Sequence, residues 1–245
     1  MCSLRHRGLC TSIGGRGTGQ SSRSGCCVEL RKRGLLISFS GVDGSGKSTQ
    51  IRLLEGSLRK DGARLVRIRN RWRPLVSLPL LAVLRRLGYA KVHITGGVYI
   101  VETTFPRASR LASLWCVLTQ IENIVKAAPK VFLPLLFGVT VISDRYVLDM
   151  LVDGMAGLHD QPGHTRFGFE LLRILPRPDK SFVIDIDPDV AFSRKPDLPQ
   201  LSDYVERLSL YHRLGESLGA TFVNGRASPE EIHQRIRSTF AWSEL

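Results

Sequence analysis

The chain has no run of eighteen apolar residues, and its longest apolar stretches, 74–84 and 131–142, are too short to cross a bilayer. It has only 5 cysteines in 245 residues, an odd number, and four of them fall before residue 28. That excludes a disulfide-stapled scaffold. Cysteine pairs at metal-ligand spacing are absent: Cys26 and Cys27 are adjacent and have no second pair. His159 and His164 flank Gln161-Pro162-Gly163 at a spacing that fits no metal motif. There is no Asn-x-Ser/Thr acceptor and no Asn-Lys-x-Asp guanine-reading tetrad. These absences together predict a reducing, cytoplasmic setting and weigh against a Ras-like GTPase.

Acidic charge is also scarce, but unevenly so. The formal net charge is +13. The first 34 residues hold seven basic residues (Arg5, Arg7, Arg16, Arg23, Arg31, Lys32, Arg33) and one acid, Glu29. The rest is mildly basic, as suits a domain that handles phosphates. Basicity alone fits nucleic acid or anionic lipid equally well. Residues 1–34 are rich in Gly, Ser, Arg and Cys without hydrophobic periodicity. Such a segment cannot bury enough apolar surface to offset its ordering entropy. It is predicted to be a disordered basic tail, with a folded domain over 35–245. Its Arg- and Ser-rich, acid-poor composition is shared with organellar transit peptides.

From residue 35 onward, patterns of strand and helix alternate. Apolar or alternating runs predict strands at 35–40, 64–69, 139–143, 181–186 and 220–223. Helices are predicted at 47–60, 74–87, 106–126, 188–194 and 201–218. Ser228-Pro229-Glu230-Glu231 opens a last helix as cap, first-turn proline and acids. Residues 88–105, with Gly88, Gly96 and Gly97, read as a loop over the site. Alternation of this kind predicts an α/β fold, a parallel sheet covered by helices on both faces.

Gly41-Val42-Asp43-Gly44-Ser45-Gly46-Lys47-Ser48-Thr49 matches Gly-x-x-x-x-Gly-Lys-Ser/Thr, between a buried strand and a helix. The glycines let backbone N–H groups wrap a phosphate, and the helix N-terminus adds its positive end. Lys47 would reach the β- and γ-phosphates, and the Ser48 hydroxyl would ligate Mg²⁺. This is a P-loop NTPase signature. The second fully buried strand ends in Ser143-Asp144-Arg145-Tyr146. A strand-end Asp144 would hold the Mg²⁺ shell, while Arg145 would project toward the phosphates.

With these motifs in hand, the chain resembles the thymidylate kinases among the nucleoside monophosphate kinases. The resemblance runs through 41–49, 142–146, Asp185-x-Asp187-Pro188-x-x-Ala191, Tyr204-Val205-Glu206-Arg207 with Tyr211, and 228–232. It implies a five-stranded parallel sheet, ATP and Mg²⁺, a nucleoside monophosphate acceptor, and a homodimer through the long helix at 106–126. Nucleic acid is not an expected partner. By the resemblance, Asp43 lies beside the acceptor's sugar and Arg145 bridges donor and acceptor phosphates. Arg71 or Arg73, with Pro74, stands where the family has Arg-Glu-Pro-Gly. Arg194 and Lys195 stand where its arginine-bearing lid begins. The family's base-reading arginine has no counterpart in 114–120. Arg107 and Arg110, two to three turns earlier, and Asp149, one turn from Asp153, complete the candidate acceptor side. The base is therefore open. So are two alternatives: a hydroxyl kinase with Asp43 as general base, and a nucleotide-binding protein without transferase activity.

Overall fold

The computed structural model describes residues 34–70, 75–95, 98–105, 110–156, 170–195 and 200–240. The candidates Arg71, Arg73, Pro74 and Arg107 lie outside them, as do His159 and His164. Of the expected tail, only Gly34 is described. It is buried, and its N–H donates to the Leu135 carbonyl at 3.1 Å.

The main sheet has five parallel strands: β1 (Leu36–Ser40), β2 (Leu65–Arg69), β5 (Thr140–Asp144), β6 (Lys180–Asp185) and β7 (Thr221–Asn224). Their order is β2-β5-β1-β6-β7. Strand β1 is central, buried at every position, and alternates two kinds of side chain. Ile37 and Phe39 face one layer, with Ile51, Leu54 and Leu58 of α1 (Lys47–Lys60) and Ile232 and Ile236 of α7 (Pro229–Arg237). Leu36 faces the other, with Val131 and Leu135 of α3 (Arg110–Leu136) and Met150 of α4 (Val147–Ala156). Each fully buried side chain of this size contributes about 1.5–3 kcal/mol. Period two puts β1's serines on that second face as well. Ser38 bonds Ser181 Oγ at 3.0 Å, and Ser40 donates to Asp149 at 2.7 Å.

Helices α5 (Pro188–Arg194) and α6 (Leu201–Ser217) pack with α4 through Val152, Ala191, Tyr204 and Leu208. The predicted elements recur here within one or two residues; α4 was not among them, and three further differences stand out. First, the chain over 90–103 is no loop. It forms an antiparallel hairpin, β3 (Ala90–Thr95) with β4 (Val98–Thr103). In the sequence, Gly88, Gly96 and Gly97 flank and interrupt these two short runs and gave the stretch the look of a loop. Second, α3 continues to Leu136, past Pro129 and Pro134. Proline normally ends a helix, but here buried Ala127, Val131 and Leu135 keep that turn against the sheet. Third, the helix expected from residue 74 is α2 (Leu78–Arg86), with Pro79 in its first turn. Among the described residues, no helix is long and apolar enough to cross a membrane.

Candidate active site

The loop at 41–46 leaves the carboxyl end of β1 and feeds α1, so the site sits where β1 and β5 end side by side. Gly41, Gly44 and Gly46 all have positive φ, at 133, 85 and 94°. At Gly44 a Cβ would lie 2.6 Å from the Ala191 carbonyl oxygen, so α5 leaves room for glycine alone. Lys47 folds back into this loop. Its Nζ donates to the carbonyls of Gly41 at 2.8 Å and Val42 at 2.7 Å. Burial, and then the nearby Arg145 cation, lowers its pKa to about 8. Ser45 is buried, whereas Ser48 is exposed at the start of α1 and Thr49 is half-buried.

Asp144 is the last residue of β5 and pairs in register with Phe39. It shares a strand face with Ile142, which packs against α1, so period two puts Asp144 on the side of α1 where Ser48 begins. Its Oδ2 is 3.4 Å from Arg67 Nη2 and 3.8 Å from Arg69 Nε. The hydroxyl of Ser48 and the carboxylate of Asp144 are hard oxygen donors, the chemistry that suits Mg²⁺. Among the described residues, no group of three or more His, Cys, Asp or Glu side chains could hold a metal by itself. A cation here would complete its shell with water or phosphate oxygens.

Arg145 is the one non-glycine with positive φ among the described residues, at 71°. Its N–H still bonds the Phe39 carbonyl at 3.0 Å, so the twist begins only after the ladder ends. The guanidinium is nearly buried. Nη2 lies 2.6 Å from Asp43 Oδ1, and Nη1 lies 3.5 Å from Asp149 Oδ1. Burial opposes its charge, but Asp43 above all holds the guanidinium well above its usual pKa. Lys195, just past α5, sits 3.9 Å from the same Asp43 oxygen. Arg194 ends α5 on the surface, and Arg110 is exposed at the first residue of α3.

A glycine-rich loop beside a strand-end Asp-Arg pair invites comparison with known proteins. A thymidylate kinase from Symbiobacterium thermophilum is 30% identical over 215 residues, 83% of this chain and 91% of that protein. The chain belongs to the thymidylate kinase family. A thymidylate kinase from Caldanaerobacter subterraneus is 29% identical over 172 residues, 66% of this chain and 69% of that protein. One from Fervidobacterium nodosum is 24% identical over 225 residues, 84% of this chain and 98% of that protein. No family model matches. The protein is thus a nucleotide kinase, and the non-catalytic alternative falls away.

Residues to which the sequence assigned no role also meet around this site. Ser40 and Tyr211 hold Asp149, and Arg207 of α6 pairs with Asp153. Glu122 of α3 is buried. It accepts the N–H groups of Leu75 at 2.5 Å, Val76 at 3.3 Å and Ser77 at 3.3 Å, together with Lys126 Nζ at 2.6 Å. Burial raises its pKa, but Lys126 and Ser77 outweigh that and leave it below the usual value. Glu122 thereby anchors the chain that immediately follows Arg71, Arg73 and Pro74. The spacing Tyr204-x-x-Arg207-x-x-x-Tyr211, one face of a helix, was the available signal for α6. For Glu122 the local signal was only its i,i+4 pairing with Lys126, because its other partners lie 45 residues and more away.

Proposed function

We propose that this kinase is Mg-ATP-dependent and transfers the γ-phosphoryl of ATP to the 5′-phosphate of dTMP or a related nucleoside monophosphate. One observation carries the reading: Arg145, from the end of β5, meets Asp43 of the phosphate-binding loop at 2.6 Å. This puts a buried guanidinium at the edge of the loop, where donor and acceptor phosphates would meet.

Phosphoryl transfer asks for positioning and charge neutralisation. The loop N–H groups and Lys47 would hold the β- and γ-phosphates. Ser48 and Asp144 would hold the Mg²⁺, which when bound neutralises phosphate charge. Arg145 would orient the acceptor phosphate in line. Arg194 and Lys195 would bring cations from the α5 end. The γ-phosphorus bond to the β-phosphate oxygen breaks, a bond to an acceptor phosphate oxygen forms, and ADP leaves. A monophosphate acceptor is already an anion and needs no general base, whereas a hydroxyl acceptor would want one. Asp43 has Arg145 and Lys195 beside one oxygen, so its carboxylate is engaged in charge pairing, and this favours the phosphorylated acceptor. Asp149 is buried with both oxygens occupied, so it supports Arg145 rather than touching the acceptor.

An acceptor screen tests the reading. Purified chain with Mg-ATP should release ADP with dTMP, dUMP or another monophosphate at least about tenfold faster than with any nucleoside or sugar. Selective turnover of a hydroxyl acceptor would replace the proposal.

The homodimer is proposed through α3. Leu114, Ile121, Val125, Phe132 and Leu136 are exposed on that helix. Their alternating seven- and four-residue spacing makes a stripe that a second copy would match. Light scattering should give twice the chain mass, and Val125→Glu should give the monomer. A wild-type monomer at micromolar concentration would end this part of the proposal.

A further inference from the structure

Asp149 is 2% exposed, although it is an acid with no surface role. Burial raises its pKa, so four partners must offset the cost of its charge. The partners divide between its two oxygens. Oδ2 accepts from Ser40 Oγ at 2.7 Å and from the Tyr146 N–H at 3.0 Å. That second bond ties the third residue of α4 to the residue just before the helix, as in half of a capping box. Oδ1 has different work. It accepts the Tyr211 hydroxyl at 2.8 Å and lies 3.5 Å from Arg145 Nη1. Asp43 takes the other arm of the same guanidinium at 2.6 Å. The arginine is therefore gripped from two sides, by a carboxylate on the phosphate-binding loop and by one on α4. Arg145 also carries a positive φ, a strained conformation that persists only where its surroundings hold it.

The grip extends to α6. Tyr211 reaches Asp149, and two turns earlier Tyr204 donates its hydroxyl to the Lys195 carbonyl at 2.5 Å. Between them Arg207 pairs with Asp153, one turn beyond Asp149. One helix face thus touches Asp149 beside Arg145 and the backbone of Lys195, the two cations near Asp43. We infer that Asp149 is the positioning residue of Arg145, with Tyr211 fixing it from α6. The catalytic consequence rests on the proposed role of Arg145, whereas the restraint of its side chain does not.

The test uses Asp149→Asn in the full chain. An asparagine oxygen in place of Oδ2 keeps the bonds from Ser40 and Tyr146. Its NH₂ then takes the place of Oδ1 and faces the guanidinium donors with donors of its own. In ¹⁵N-arginine-labelled protein, the Arg145 Nε–H signal is assigned by its loss in Arg145→Lys. It should be rigid and slowly exchanging in wild type, and should exchange with water at least about tenfold faster in Asp149→Asn. Tyr211→Phe should shift it in the same direction by less, and it decides the matter if Asp149→Asn does not fold. In the kinetic arm, kcat should fall about 10- to 100-fold with KM for ATP changed less than about threefold, as expected of misplacement by a fraction of an ångström. An Arg145 signal as restrained in the folded variants as in wild type would overturn the inference, whatever the acceptor. A released signal in a protein that phosphorylates no monophosphate would uphold it and overturn the proposed function instead.

Discussion

Lys47→Ala is expected to lower phosphoryl transfer by about 10³-fold or more while leaving the chain folded. The loss follows from what the ammonium does in the proposed mechanism: it neutralises charge that grows on the transferring group in a buried site, where one such donor is commonly worth 10²- to 10³-fold and a full cation more. The fold should survive because Lys47 is held at a cost. Burial, and then the Arg145 cation, brings its pKa to about 8 in the folded chain, below the unfolded value of 10.5. The sign is that of a lowered group. The unfolded chain binds the proton more tightly, so the penalty on folding is full below pH 8 and fades as pH rises toward 10.5. Lys47→Ala should therefore denature at the same or slightly higher urea concentration than wild type at pH 7, and the advantage should shrink by pH 10. The same value predicts that ATP binding takes up protons above pH 8, because the triphosphate favours the ammonium form. Calorimetry in two buffers of different ionisation enthalpy reads this directly. Full turnover in Lys47→Ala would remove the loop from the mechanism.

Arg145 should show the opposite balance, losing stability and activity together. Removing the guanidinium leaves Asp43 and Asp149 without the cation between them, and Asp149 is fully buried. Breaking a buried pair from one side costs about 3–5 kcal/mol. Arg145→Ala should accordingly unfold at clearly lower urea. Arg145→Lys keeps a charge but not the two-armed fork, and its kcat should fall about 10²- to 10³-fold. A third variant isolates the backbone. At φ 71° alanine is strained and glycine is not, so Arg145→Gly should be more stable than Arg145→Ala by about 1 kcal/mol. Equal stability of the two would mean that the turn relaxes and that φ is no constraint on the site.

The loop and its strand were legible because their signals are local. A glycine-rich run, a lysine and a hydroxyl within nine residues leave little choice of geometry, and the buried runs at 36–40 and 140–144 state their own period. Lys47, Asp43, Arg145 and Asp144 come together because the two strands are neighbours in a parallel sheet. The hairpin at 90–103 was not legible. Its strands are six residues each and bracketed by glycines, so the local pattern is that of a loop. The end of α3 was hidden for the converse reason: two prolines signal a stop, and only contacts with a sheet formed elsewhere override them. Asp149 was noticed, but for its spacing from Asp153, which suggested a face turned to the acceptor. Its real surroundings join Arg145, four residues earlier, to Ser40 and Tyr211 from distant parts of the chain.

The strand order has a consequence for how the protein is made. Strand β1 is synthesised first of the five, yet both of its neighbours, β5 and β6, come from beyond residue 139. At roughly 5–20 residues per second, about 5–20 seconds separate the emergence of Phe39 from that of its partner Asp144. Throughout that interval the central strand of the sheet lacks both of its neighbours. An N-terminal piece that ends before Thr140 contains neither neighbour of β1. A ribosome that stalls before Thr140 releases a chain with its central strand bare, a substrate for holdase chaperones and proteases.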